Sequence, residues 1–185
     1  VDVGSGGPSQ RLVLLPDNFL KYFALGPARG IGDFDFGTDV RAVTRFADLL
    51  DVKPDLTAFE RAGGKLVMIH GCNDIRISPL FTIDFRDRVI AAFGGEEDRV
   101  EGFFRLFLVA GSGHCGGGPG PNEYDGLSAI EKWVEEGIAP SELMSVARRP
   151  DGSVTGTSHT RSFRWSNHRR HATQTPPGHR GAALA

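Results

Sequence analysis

"FFRLFLVAGSGHCGGGPGPNEYDGLSAIEKWVEEG", residues 103–137, runs from an unbroken apolar burst through twelve positions holding six glycines and two prolines into a helical pattern. The burst over 103–110 reads as a buried strand, because a strand covered on both faces shows no alternation. The glycine and proline run over 110–121 reads as a loop. After it, Tyr124, Leu127, Ile130 and Val134 fall on one helical stripe. The same order occurs once upstream. "KPDLTAFERAGG" carries Asp55 as a helix cap and stops at Gly63-Gly64, "KLVMI" is a second buried strand, and "HGCNDIRISP" is its loop. "LFTIDFRDRVIAAFGG" then places Phe81, Phe85, Val89 and Phe93 on one helical face before Gly94-Gly95. Strand, loop, helix, repeated, is the pattern of a right-handed parallel α/β sheet. In such sheets the chemistry lies in loops at the carboxyl ends of the strands, which places residues 70–79 and 110–121 side by side.

The rest of the chain is less regular. "VDVGSGGPSQ" reads as a flexible lead, and Pro16 splits "RLVLLPDNFLKYFALG" into two apolar bursts, so residues 1–37 are expected to be irregular. From Thr38, a plausible cap, Val40, Val43, Ala47 and Leu50 predict one helix. Residues 38–150 are expected to form the α/β part. From residue 161 the chain has five Arg, three His and no acidic residue, so it carries +5 against −7 for the residues before. Residues 151–185 are therefore expected to be a disordered tail, with too few apolar groups to dock it.

Composition narrows the function. The 185 residues are 39% hydrophobic and 24% charged with a net charge of −2, which suits one globular domain and shows no overall nucleic-acid footprint. No apolar run approaches the roughly 20 residues of a membrane span. Cys72 and Cys115 are too few for a disulfide framework and too far apart for a CxxC motif, and the plain reading is two reduced, half-buried thiols.

Within the two loops, Asp74 and His114 are the residues that carry chemistry. An Asp after one strand and a His after the next match the last two members of a Ser, Asp, His chain order. The carboxylate orients the imidazole, and the imidazole takes and returns a serine's proton. A metal site from His70, Asp74, His114 and a cysteine lacks any recognised ligand spacing. A phosphate-binding reading lacks the Lys-Ser/Thr ending and the acidic residue about 20 positions on. A Cys72 or Cys115 thiol nucleophile is a third alternative, disfavoured because adjacent loop side chains seldom hold attack geometry with His114. His70 reads as a partly buried, hydrogen-bonded ring outside the mechanism.

"GGKLVMIHGCNDIRISP" together with "FRLFLVAGSGHCGGGPGPNEYDGLSAIEKWVEEGIAP" closely resembles the carboxyl-terminal part of the tannase and feruloyl esterase family, over about Pro54 to Ala147. The likeness implies a partial α/β-hydrolase fold comprising its last parallel strands and helices. It also implies a secreted or periplasmic serine esterase acting on small phenolic esters or plant cell-wall esters, with no nucleic-acid or membrane partner. It assigns Asp74 and His114 as catalytic residues and Cys115 as half of a disulfide whose partner lies outside the chain. It allows calcium in a lid domain but gives no metal or other cofactor site among these residues, and it leaves the substrate-binding residues unknown.

Three departures accompany the likeness. The family's nucleophile is a Ser following a Cys, and neither that pair nor G-x-S-x-G occurs here. Cys72 stands where relatives carry Trp. Beyond Thr160-Arg161 the Arg, His, Pro and Ala bias is what an out-of-frame reading of G+C-rich coding DNA would produce. The expectation is a fragment of such an enzyme, inactive alone for want of the serine, with a frame-shifted tail. The alternative is a non-catalytic remnant that serves as a binding or scaffold module.

Overall fold

The computed structural model describes residues 8–164, which fall into two units, Val1–Lys53 and Pro54–Ala185. In the first, α1 (Pro8–Phe19) passes through Pro16 and continues as a wider π turn over Leu20–Ala24. The expected irregular lead is thus largely helical from Pro8 to Ala24, and the flexible start expected of residues 1–7 lies outside the described residues. One proline removes a single backbone donor, and aromatic packing offsets that loss. Phe19 and Phe23 both lie against Phe46, with ring centroids 5.5 and 6.4 Å away.

The same packing divides the helix expected from Thr38. It becomes α2 (Val40–Thr44) and α3 (Ala47–Leu50), broken at Arg45 and Phe46. Arg45 donates to the carbonyl of Phe23, and Phe46 turns its ring to Phe19. Asp39, not Thr38, stands at the N-terminus, where it is held by a two-pronged Arg29 pair at 3.0 and 2.6 Å.

The second unit holds the site. Asp55 accepts from the Thr57 amide and starts α4 (Thr57–Arg61), a glycine turn follows, and β1 (Leu66–Gly71) begins. Ser78 caps α5 (Pro79–Ala92) by accepting from Leu80, with Pro79 in the first turn where no amide is needed. Next come α6 (Glu97–Glu101) and β2 (Phe104–Val109). β1 and β2 pair in parallel from Leu66 opposite Phe104 to Gly71 opposite Val109, as the pattern predicts. Phe85, Val89 and Phe93 of the α5 face form the core with Val100, Phe103, Phe104, Leu106 and Phe163. Phe81 does not join them and is 70% exposed. Arg86 is buried instead, ion-paired with Glu97 and Glu101.

After the glycine loop come β3 (Glu123–Tyr124) and α7 (Gly126–Glu136), which Asp125 caps by accepting from Ser128 and Gly137 ends at φ 73°. The helix is where the pattern puts it, but its buried face is not. Tyr124 lies in the strand, Leu127 and Val134 stay exposed, and Trp133 is the buried residue, with the Lys65 ammonium 5.3 Å and the Arg105 guanidinium 5.8 Å from its ring.

A hairpin of β4 (Glu142–Arg148) and β5 (Val154–Arg161) extends the antiparallel sheet, in the order β3-β4-β5. Ser162 then bridges Phe107, and the Phe163 amide donates to Leu106, so the chain runs antiparallel along the second edge of β2. The expected disordered tail is therefore ordered through Arg164, and the rest of that expectation, including a frame-shifted end, lies outside the described residues. β1 has no partner on its other edge among the described residues. A shallow groove of about 380 Å³ lies there, lined by Val67, Ile69, Leu127 and Ile130. No described helix is long and apolar enough to cross a membrane.

Candidate active site

The parallel register ends β1 and β2 side by side, and backbone hydrogen bonds lace the loops that follow. Cys72 donates to the Val109 carbonyl and Asn73 to the Ser112 carbonyl, each at 2.9 Å. The Asn73 side chain completes the lacing by accepting from the Gly111 amide at 3.1 Å. Such closeness excludes a side chain at Gly71, where a Cβ would lie 2.3 Å from the Ser112 carbonyl oxygen. At Gly118, with φ +108°, a Cβ would lie 2.1 Å from the Gly111 oxygen, so the histidine loop folds back on itself only with glycine there. Asn122 ties the loop's base by accepting from Gly117 and donating to Gly120.

This frame brings together Asp74 and His114, 40 residues apart, with Nδ1 of the ring 2.8 Å from Oδ2 of the carboxylate. An ionised carboxylate only accepts, so Nδ1 carries the proton and the neutral ring keeps Nε2 as its basic nitrogen. Oδ1 of Asp74 accepts from the Arg76 and Ile77 amides at 2.8 and 3.0 Å. Burial pushes the Asp74 carboxyl up, but the His114 ring and these two amides outweigh it and bring its pKa down to about 2. The Asp74 side chain is 6% exposed and that of His114 is 30% exposed. His114 borders an open cleft of about 510 Å³ with Asn73, Ile75, Arg76 and Cys115. The pair thus consists of a shielded permanent anion and an imidazole that solvent can reach.

Cys115 holds a left-handed backbone, φ 57°, which disfavours most non-glycine residues. Both thiols are free and exposed rather than half-buried, and burial of its surroundings pushes the Cys72 thiol up. Among the described residues no cluster of three or more side chains is arranged to hold a metal ion. His70 is the partly buried, hydrogen-bonded ring that its sequence position suggests, 2.6 Å from the Thr82 hydroxyl and 3.0 Å from the Ile77 carbonyl. Asn73 and Asn122 escape sequence reasoning. Asparagine is common in loops, and only the juxtaposition of the loops gives these two a task.

A family model described as tannase and feruloyl esterase matches residues 34–175. A mono(2-hydroxyethyl) terephthalate hydrolase of Piscinibacter sakaiensis is 43% identical over 96 residues, covering 52% of this chain and 15% of that protein. A probable feruloyl esterase of Arthroderma benhamiae is 39% identical over 104 residues, covering 55% and 19%. Among solved structures, an esterase from Aspergillus oryzae aligns with a TM-score of 0.72 at 24% identity, over 79% of this chain and 32% of that one. A tannin acyl hydrolase from Aspergillus niger aligns with a TM-score of 0.63 at 19% identity, over 82% and 30%. The chain spans less than a fifth of the length of these two curated relatives. The two solved structures share its fold.

Proposed function

Because the chain belongs to the tannase and feruloyl esterase family, we propose that its second unit is the Asp–His half of a serine carboxylic ester hydrolase of α/β-hydrolase fold. The observation that carries this reading is the 2.8 Å contact between Nδ1 of His114 and the shielded Asp74 carboxylate. With Nδ1–H committed to Asp74, Nε2 removes the proton from a serine hydroxyl as the oxygen attacks the ester carbonyl. Asp74, with its pKa near 2, stays ionised and stabilises the imidazolium so formed. That imidazolium then protonates the departing alcohol or phenol, and the cycle repeats with water to release the acid.

The serine comes from outside these 185 residues, which contain neither a Cys-Ser pair nor G-x-S-x-G. The chain alone is therefore inactive. Cys115 forms half of a disulfide with a cysteine next to that serine, which suits a secreted or periplasmic protein. Phenolic esters are the proposed substrates, in keeping with the feruloyl esterase and tannin acyl hydrolase among the similar proteins.

A graft tests the proposal. Residues 54–164, placed for the corresponding segment of the Piscinibacter relative, should support hydrolysis of an aromatic monoester. His114→Ala or Asp74→Asn in the graft should each lower kcat by roughly 10⁴-fold, the scale seen when a triad member is removed. A graft that is equally active with alanine at 114 would overturn the assignment.

A further inference from the structure

A second imidazole stands against the same carboxylate. His70, near the end of β1, is 12% exposed in its side chain, and its Nε2 lies 3.5 Å from Oδ2 of Asp74, the oxygen that accepts the His114 N–H. The same Nε2 is 3.0 Å from the Ile77 carbonyl, while Nδ1 is 2.6 Å from the Thr82 hydroxyl on α5.

These partners fix the tautomer of the neutral ring. A carbonyl oxygen only accepts, so Nε2 bears the hydrogen, and the neutral ring's Nδ1 must accept from the Thr82 hydroxyl. The two histidines are thereby held in opposite tautomers, His70 as Nε2–H and His114 as Nδ1–H. The His114 N–H donates to Oδ2 of Asp74, and Nε2 of His70 lies 3.5 Å from the same oxygen.

His70 also closes a ring of contacts around the turn. Asp74 Oδ1 holds the Ile77 amide, and His70 holds the Ile77 carbonyl. The turn that aims Asp74 is thus gripped on both faces of one residue and tied through Thr82 to α5. The ionisable groups next to the ring are Asp74 and, across it, His114, while α5 presents the uncharged hydroxyl of Thr82.

We propose that His70 is a positioning residue for the Asp74–His114 pair. Its Nε2–H donates to the Ile77 carbonyl and so fixes the turn that carries Asp74, with Nε2 standing 3.5 Å behind Oδ2, which keeps Oδ2 where it selects the Nδ1–H form of His114. This role rests on the reading of Asp74 and His114 as the orienting acid and general base.

The test is long-range ¹H–¹⁵N NMR of the imidazoles in the 185-residue chain, with pH raised until the ring ¹⁵N shifts no longer change. The unsubstituted chain should show His114 as Nδ1–H and His70 as Nε2–H. In His70→Phe the Nδ1–H share of His114 should fall by about threefold as Asp74 loses its constraint. His70→Gln places an amide N–H near the position of ring Nε2 and should preserve the Nδ1–H form, whereas the shorter His70→Asn should lose it.

A purely structural role would lower the melting temperature in all three variants and leave the His114 tautomer unmoved, which would overturn the proposal. Should the Phe variant fail to fold, the Gln and Asn pair decides: equal His114 spectra in the two would also overturn it. A mixed tautomer at His114 in the unsubstituted chain would instead overturn the Asp74–His114 pairing itself.

Discussion

Replacing Asp74 by Asn should make the second unit less stable at neutral pH by an amount that disappears in acid. The carboxyl titrates near 2 rather than at its ordinary 3.8, so the native state favours its ionised form. A group whose folded pKa is depressed contributes stability that is fully present above the unfolded value and is lost as pH falls through the folded one. At about 1.4 kcal/mol for each tenfold change, the shift corresponds to roughly 2 kcal/mol, and solvent near the open loop reduces this to about 1–2 kcal/mol. For a unit of this size that is a melting-temperature difference of a few degrees. Thermal melts of the chain and of Asp74→Asn should be followed from neutral pH to about pH 2. The gap between the curves should be widest above pH 4 and should narrow between about pH 4 and 2, where protonated Asp and Asn become alike. A constant gap, or one that widens in acid, would show that Asp74 is not held as an anion by His114 and the two amides, and the assignment of His114 as an oriented base would fall with it.

Gly71→Ala should cost about 3 kcal/mol, because the new methyl meets backbone rather than a yielding side chain. Hydrogen exchange should show faster exchange at the Cys72 and Asn73 amides before the α5 core is affected. Trp133→Ala should cost about 3–5 kcal/mol, since the ring is only 3% exposed, and denaturant melts will show it. Leu127→Lys, at a position 68% exposed beside the open edge of β1, should reduce light scattering by concentrated protein without lowering the melting temperature. Unchanged scattering would mean that concentrated protein does not associate through the edge groove.

The parts legible in the sequence are those where a local rule and the tertiary environment agree. "KLVMI" and "FFRLFLVA" read as strands because both pack against the α5 core, and the loops after them follow from the parallel α/β order. Asp74 and His114 were legible for the same reason, since two loops at the ends of neighbouring parallel strands must meet. The failures share one cause, which is packing across distance in sequence. Pro16 does not end α1, because that helix continues into residues whose rings gather on Phe46. The α7 stripe is misplaced because the helix meets the sheet through Trp133, flanked by two cations, while Leu127 faces the open groove. "VTGTSHTR" looks like a polar tail because the strand it forms exposes alternate residues and draws its order from pairing with β4.

The loop around His114 shows why composition alone misleads about chemistry. Six glycines in twelve residues suggest a cradle for phosphate, yet four of them, Gly111, Gly113, Gly118 and Gly120, serve here to bring backbone against backbone. The Asn73 and Asn122 amides then hold that fold, and the carboxylate of Asp74 selects one nitrogen of one ring. Flexible residues thus build a close-set site, because Gly111, Gly113, Gly118 and Gly120 remove side chains where neighbouring backbone must come close. The proposed catalytic pair needs such fixed geometry more than most loops do. A base that must lie within about 3 Å of a hydroxyl is useless if its carboxylate partner drifts. Asp74 is therefore held at both oxygens, by two amides on one side and the His114 ring on the other, with His70 standing behind the second oxygen.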